Sequence, residues 1–87
     1  MIGGVIMFNN RTVDGRNNEC GIKIARMRKA MKISQRQLAD NLQLINLDID
    51  KNAVQRIESG QRFVTDIELM YLAKVFNTSI DELLRRD

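Results

Sequence analysis

The sequence predicts an all-α protein of five helices, from its composition, its apolar spacing and its repeated capping signals. The 87 residues include no proline, five glycines and few aromatic residues, namely three Phe, one Tyr and no Trp. Leu, Met, Lys, Arg and Glu are abundant, and these residues favour helices over strands. A chain of this length forms one small domain with a modest core, so dimerisation would add to its stability.

The first 17 residues are expected to form a flexible amino-terminal arm, and residues 18–87 the folded domain. An apolar octet at residues 1–8 is followed by a polar run rich in asparagine. The glycines and asparagines of this region argue against a helix. The octet has one alternative, a short strand that pairs with the arm of a partner.

The first two helices are indicated by an apolar stripe and by a capping box. The first helix is expected from about Asn18 to Met31. Its apolar side chains recur at intervals of four, three and four, a spacing that forms one stripe for core packing: Cys20, Ile24, Met27 and Met31. The second helix is expected to begin at Ser34, where Gln37 three residues later completes a capping box.

A third helix at residues 50–59 is delimited by its ends. Asp50 is a good N-cap, and Gly60 readily adopts the left-handed conformation that ends a helix. The apolar residues form one narrow stripe that would anchor the helix: Ala53, Val54 and Ile57. The other face carries side chains suited to DNA base edges or phosphates: Lys51, Asn52, Gln55 and Arg56. Such a helix is built to be presented to a partner.

Two further capping boxes predict the last two helices. Thr65 with Glu68 opens the fourth helix, which ends near Asn77, and Ser79 with Glu82 opens the fifth. The apolar stripes of these helices are made of seven residues: Leu69, Leu72, Ala73, Phe76, Ile80, Leu83 and Leu84. Five helices joined by short loops within about 70 residues form a compact all-α domain.

Basic residues are concentrated in the first half of the chain. Residues 11–36 carry eight basic side chains and two acidic ones, whereas residues 63–87 carry five acidic and three basic. A basic front half suggests a polyanionic partner, although charge alone fits a solvated helix face equally well.

Several classes of function have no support in the sequence. With no histidine and one cysteine, Cys20, the chain lacks an internal disulfide, the commonest zinc-ligand sets and a Ser-His or Cys-His nucleophile pair. No pairing suggests an enzyme, a metal or a cofactor. No segment approaches the roughly 20 apolar residues of a membrane span, and the start lacks the pattern of a signal peptide. We therefore expect no membrane association and a cytoplasmic location.

The order and approximate spacing of four stretches resemble the lambda repressor and Cro-like helix-turn-helix family, also called the xenobiotic-response-element family. The stretches lie between residues 21 and 84: Gly21–Arg28, Ser34–Ala39, Val54–Gly60 and Leu72–Leu84. The resemblance implies a compact five-helix, lambda-repressor-like DNA-binding domain. It also implies that the second helix crosses the DNA backbone while the third enters the major groove of double-stranded DNA.

By position, the resemblance implies three groups of functional residues. The base-reading residues would be Lys51, Asn52, Gln55 and Arg56. The phosphate-binding residues would be Ser34, Gln35, Gln61 and Arg62. Arg28 and Glu58 would form a structural ion pair between the first and third helices. Breaking one side of a buried pair is costly, because the other charge stays in a poorly solvated place.

The chain departs from the family pattern in the turn before the third helix. Gln43 stands where the family usually has glycine, and the spacing indicates a five-residue insertion. The apolar insertion residues add to the core or meet a second subunit: Leu44, Ile45 and Leu47. The insertion leaves the angle of the recognition helix open. A smaller departure is Val64, which stands where the family has proline.

We therefore expect a small repressor that binds a palindromic operator as a homodimer, because one module buries little DNA surface. Three dimer surfaces are candidates: the last helix with Leu83 and Leu84, the amino-terminal arm, and the insertion. The alternative is a protein-interaction module, such as an antitoxin or adaptor, in which the apolar arm and insertion bind a protein partner.

Overall fold

The computed structural model describes residues 11–86, and this range contains five helices and no strand. The helices are α1 (Gly21–Ala30), α2 (Gln35–Leu44), α3 (Lys51–Glu58), α4 (Asp66–Val75) and α5 (Ile80–Leu84). The all-α, five-helix prediction is confirmed for this range. The apolar octet and its alternative strand lie outside the described residues. Between residues 11 and 86, no helix is long and apolar enough to cross a membrane.

The core is formed by apolar residues from every helix and from the turn before α3. Its members are Cys20, Ile24, Leu38, Ala39, Leu42, Ile49, Val54, Ile57, Leu72, Ala73, Phe76 and Leu83. Helix α3 packs against α1 and α2, while α4 packs against α2 and α5. This arrangement buries the narrow stripe of α3 and leaves the opposite face of the same helix at the surface.

The predicted N-caps are present at four helices. Ser34 and Thr65 form complete capping boxes with Gln37 and Glu68. The side chain of Asp50 accepts a hydrogen bond of 2.8 Å from the amide of Ala53. Ser79 caps α5 by accepting from the amide of Glu82 at 3.0 Å.

The carboxylate of Glu82 contacts a helix other than its own. It lies 2.7 Å from Nζ of Lys23 in α1, so that the two helices are joined by an ion pair. The side chain of Lys23 is only 5% exposed, whereas that of Glu82 is 43% exposed. A capping box can be read from local spacing, but this contact depends on how α1 and α5 pack.

Four helices end in a residue with positive φ: Lys32, Asn46, Gly60 and Asn77. At each end, two amides bond back to carbonyls of the last turn, which is the Schellman arrangement. For α2, the amide of Asn46 donates to Gln43 O and that of Leu47 donates to Leu42 O, both at 3.0 Å. The left-handed ends at Gly60 and Asn77 were predicted, whereas those at Lys32 and Asn46 were not.

Helix α1 begins three residues later than predicted, and its stripe is one residue shorter. An added Cβ at Gly21 would lie 2.1 Å from the carbonyl oxygen of Ile57, so α1 starts where the backbone of α3 passes closest. Asn18 precedes the helix and accepts from the amide of Gly21 at 2.8 Å. Met31, predicted in the core, is the C-cap and is 50% exposed, because the helix has already turned away from the core.

The insertion before α3 is folded down against the domain. Ile45 and Leu47 pack against the core, while Leu44 is 80% exposed. Nε2 of Gln43 donates to the carbonyl of Ile49 at 2.8 Å, which connects the last turn of α2 to the residue before the cap of α3. Ile49 is buried beside Val54 in the same core cluster, as expected for a hydrophobic staple.

The left-handed end of α1 leads to a stability prediction. Lysine at residue 32 has a φ of +59°, a conformation that costs a residue with a Cβ about 1 kcal/mol relative to glycine. Lys32→Gly should therefore raise the free energy of unfolding by up to about 1 kcal/mol, as measured by urea denaturation. The control Lys29→Gly, one turn earlier in α1, should lower it by about as much. Equal losses in both variants would contradict the assignment.

Candidate nucleic-acid interface

Helix α3 presents its predicted base-reading residues at the surface. Val54 and Ile57 are each 1% exposed and fix one side of the helix in the core. The four side chains predicted to read bases are all exposed: Lys51, Asn52, Gln55 and Arg56. Their donors and acceptors are therefore brought together on one face of a short, well-anchored helix.

A polar groove of about 290 Å³ lies between α2 and the start of α3. Lys51 and Asn52 line one side, and Arg36 and Gln43 of α2 line the other. The groove also contains the acidic side chains Asp40 and Asp50. Arg36 was not predicted as a site residue. Its place in the first turn of α2, two residues after the Ser34 cap, could have suggested it, but only packing brings it to the groove that Lys51 lines.

The start of α2 offers hydrogen-bond donors to an anion. Ser34 Oγ accepts from the amide of Gln37 at 3.0 Å, which leaves the hydroxyl hydrogen available to donate outward. The amides of Gln35 and Arg36 belong to the first turn, whose N–H groups have no partner within the helix. An oxyanion at this end would also be favoured by the helix dipole.

Glu58 joins α1, α2 and α3 through one carboxylate. Arg28 donates from Nε to Oε2 at 2.7 Å and from Nη2 to Oε1 at 3.1 Å, so the predicted ion pair is present and bidentate. Gln35 Nε2 donates to the same Oε1 at 3.0 Å. Hydrogen bonding to Glu58 raises the pKa of the Arg28 guanidinium, against a smaller opposing effect of burial. Arg28 also donates to the carbonyl of Ile33, in the turn between α1 and α2, at 2.8 Å.

The hydrogen bonding of Gln35 differs from the phosphate contact predicted for it. One of its two side-chain N–H groups is directed to Glu58, inside the domain. The family position predicted a phosphate contact for Gln35, but its hydrogen bond to Glu58, which joins α2 to α3, depends on tertiary contacts alone.

The loop after α3 holds the other two predicted phosphate contacts. Gln61 is exposed, but the guanidinium of Arg62 is engaged by Glu68, with two hydrogen bonds of 3.0 Å. This hydrogen bonding raises the pKa of Arg62. Burial by itself would raise the pKa of Glu68, but bonds from Arg62 and Thr65 outweigh it, so that pKa lies below its ordinary value. Arg62 therefore ties the loop to α4.

The C-terminal end of α3 is bonded to residues that precede α1. Arg16 donates to the carbonyl of Glu58 at 2.8 Å, and Asn18 donates to the carbonyl of Ile57 at 2.9 Å. Arg16 thus connects α3 to the second half of the predicted arm, and Asn18 connects α3 to the predicted start of the first helix. Sequence reasoning missed these contacts because Arg16 was assigned to a flexible segment and Asn18 to the start of the first helix, and no local pattern indicates their partners.

A model of the helix-turn-helix family matches residues 24–83, well over half of the chain. The chain belongs to the helix-turn-helix family. The resemblance to lambda repressor and Cro-like proteins is confirmed by this match and by the helical neighbours described next. At the coarse level, this helix-turn-helix protein is a DNA-binding transcription regulator. No curated protein matches the sequence.

Two solved structures are similar to this helix-turn-helix domain. The restriction-modification controller protein C.AhdI from Aeromonas hydrophila is 28% identical, with a TM-score of 0.63 over 72% of this chain and 84% of that one. The P22 c2 repressor, in a complex with synthetic operator 9T in the presence of Tl⁺, is 26% identical. Its TM-score is 0.66 over 80% of this chain and 98% of that one.

The network around Glu58 makes a prediction about stability. Arg28→Met should lower the free energy of unfolding by about 3 kcal/mol, because it leaves a carboxylate that is poorly solvated. The Glu58 side chain is only 7% exposed. In the double variant Arg28→Met/Glu58→Leu, much of this loss should be recovered, since no charge remains unpaired.

Arg62→Met is the matched comparison, because its ion pair is more exposed, at 28% for Arg62 and 15% for Glu68. This substitution should lower the free energy of unfolding by roughly 1 kcal/mol. Chemical denaturation of the four proteins measures all the differences. A loss of unfolding free energy that is the same in Arg28→Met and Arg62→Met would show that the Glu58 network matters no more to stability than the pair of Arg62 and Glu68.

Proposed function

We propose that the protein is a sequence-specific transcriptional regulator, a small repressor that inserts the helix at residues 50–59 into the major groove as a homodimer. The observation that carries the proposal is α3 itself. Val54 and Ile57 are buried and Ala53 packs against the core, while the four polar side chains on the opposite face are exposed. The likeness to an operator-bound repressor supports this reading.

The base-reading roles follow from the hydrogen-bonding chemistry of each side chain. Arg56 would bond bidentately to guanine O6 and N7, while Asn52 or Gln55 would bond to adenine N6 and N7. Lys51 carries a compact charge at the first position of α3 and would bind guanine or a phosphate. Each well-formed bidentate contact discriminates against a wrong base by about 1–3 kcal/mol.

The phosphate roles are proposed for Ser34, Gln35, Gln61 and Arg62. Ser34 and the first amides of α2 would hold one phosphate at the helix N-terminus. Gln61 would contact a second phosphate beyond α3. Arg62 shares its guanidinium with Glu68, so we assign it a smaller part, as the residue that sets the position of the loop.

The specific test is selection of bound sites from random duplex DNA. A palindrome should be enriched, and its half-site spacing would report the distance between the two recognition helices. If four to six phosphates are neutralised per subunit, the log–log salt dependence of affinity should have a slope of roughly −4 to −5 per subunit. Selection that enriches no sequence would reject the proposal.

Single substitutions on the selected operator test the individual roles. Arg56→Ala should weaken binding by about 1–3 kcal/mol and relax the preference at one base pair. The matched control Arg85→Ala removes an equal charge outside the region between α2 and α3 and should leave the base preference unchanged. Unaltered specificity in Arg56→Ala, with the fold intact by circular dichroism, would remove Arg56 from the reading face.

The homodimer requires a surface, and we infer that it is the outer face of α4. Leu83 is completely buried in the core, so it is not available to a partner, and Leu84 is 40% exposed. The largest exposed apolar side chains near α4 are Phe63, Ile67 and Met70, which are 56%, 62% and 62% exposed. Sequence reasoning missed this face because it followed the opposite, buried stripe of the same helix.

Charge complementarity favours a second copy as the occupant of this face. Ile67, Met70 and Tyr71 line an apolar groove of about 390 Å³ with Lys74 at one edge. Acidic residues lie at the start of α4 and Lys74 at its end. Two copies of α4 packed antiparallel about Met70 would bring Lys74 of each subunit near the partner's Asp66, with the helix dipoles opposed.

Met70→Glu should therefore shift the dimer to a monomer, because it places two carboxylates at the centre of the interface. Analytical ultracentrifugation measures the change, and operator binding should weaken with it. Leu44→Glu is the matched control, since Leu44 is the exposed apolar residue of the insertion. If Leu44→Glu dissociates the dimer and Met70→Glu does not, the interface lies at the insertion.

The apolar face of α4 also favours a second candidate function. A face of this kind suits an antitoxin or adaptor that binds a protein partner. A wild-type protein that is monomeric and enriches no DNA sequence would support this candidate over the repressor. A dimer that selects a palindrome would exclude it as the main function.

A further inference from the structure

Residues 12–18 form a segment, here called the strap, that lies across the C-terminal end of α3. Its side chains donate four hydrogen bonds of 3.0 Å or less to backbone carbonyls. Arg16 donates to Glu58 O at 2.8 Å, and Asn17 donates to Gln61 O at 3.0 Å. Asn18 donates to Ile57 O at 2.9 Å and to Arg62 O at 2.8 Å. The amide of Asn17 adds a bond of 2.8 Å to Gly60 O.

Two of these bonds reach carbonyls of the last turn of α3, those of Ile57 and Glu58, and the other three reach the loop at residues 60–62. The last carbonyls of a helix have no partner within it, and a cation near them is favoured by the helix dipole. Arg16 supplies that cation, and its Nη2 also lies 3.3 Å from Ile57 O. The strap therefore stabilises both the last turn of α3 and the loop at residues 59–62.

The first residues of the strap are also fixed, by a hydrogen-bonded turn and by ion pairs. A turn is closed by bonds from the amide of Thr12 to Arg16 O at 2.7 Å and from the amide of Gly15 to Thr12 O at 2.9 Å. Arg86, beyond α5, pairs with Asp14 and with Glu19 at 2.7 Å each. The strap thus runs from the C-terminal region of the chain to the end of α3.

The packing of the strap against α3 requires a glycine at the end of that helix. Gly60 has a φ of +84°, and a Cβ added there would lie 2.9 Å from Cγ of Arg16. Arg16 therefore packs directly on the left-handed turn that ends the helix. Gln61, which was predicted to contact a phosphate, is the next residue after Gly60.

We propose that the strap is a positioning element for DNA binding, which holds the C-terminal end of α3 and the loop at residues 59–62 in the geometry that fits the duplex. The inference rests on the proposed function. Both the strap and Arg86 lie outside residues 24–83, which the family model matches. The strap therefore lies outside the matched part of the helix-turn-helix unit, and Arg16 acts through α3 without touching DNA.

The first experiment measures the strap without DNA, by amide hydrogen exchange in Arg16→Met. Methionine keeps an unbranched apolar stem and removes the donors. The amides of Gly60, Gln61 and Arg62 should exchange about tenfold faster relative to those of α2, as expected for a lost charge-assisted bond. Lys29→Met, which removes an equal charge from an exposed position in α1, should leave this ratio unchanged.

The second experiment measures affinity for the selected operator over a range of salt concentrations. Arg16→Met should weaken binding about tenfold with an unchanged salt slope, because the loss is one of geometry. A direct phosphate contact would instead reduce the magnitude of the slope by about 0.9. Arg16→Lys, which keeps a donor and the charge, should recover part of the affinity.

Asn17→Ala provides a milder variant if Arg16→Met does not fold, since it removes only the bond to Gln61 O. It should speed exchange at residues 61 and 62 and weaken binding about threefold. Unchanged exchange and affinity in a folded Arg16→Met protein, or a smaller salt slope, would overturn the inference. A wild-type protein that selects no DNA would reject the proposed function, while the exchange ratio would still decide whether the strap orders α3.

Discussion

The carboxylate of Glu58 is the contact on which the position of α3 depends. It accepts two bonds from Arg28 of α1 and one from Gln35 of α2, with the pair largely removed from water. A buried pair of this kind fixes geometry more than it adds stability, because desolvation opposes its Coulomb attraction. The two helices of the candidate interface, α2 and α3, are thereby joined to α1 through one carboxylate.

Helix α3 has only eight residues, too few to persist alone in water. Its order therefore comes from its surroundings. Before its start, a hydrogen bond from Gln43 to Ile49 O joins the two ends of the insertion, and Asp50 caps the first turn. At its end, Arg16 and Asn18 occupy the last carbonyls. The helix is held at both ends, which is the condition for presenting polar side chains at fixed positions.

The charge of the chain is distributed differently from what composition suggests. Of the eight basic residues between residues 11 and 36, three are directed into the domain: Arg16, Lys23 and Arg28. They cap a helix or pair with Glu82 or Glu58. The basic front half is thus partly a set of structural contacts. At the candidate interface, Arg36 of the front half is joined by Lys51 and Arg56 of α3.

The sequence by itself determined the presence of five helices, the N-caps of the last four and the polar face of α3, because these depend on interactions within a few residues. It also located Arg28 and Glu58, through family position. Only the tertiary structure decided that Arg62 pairs with Glu68 and that α4 has an exposed apolar face. The same holds for the strap around Arg16. Such contacts join residues distant in the chain, and spacing along a sequence carries no information about which distant groups meet.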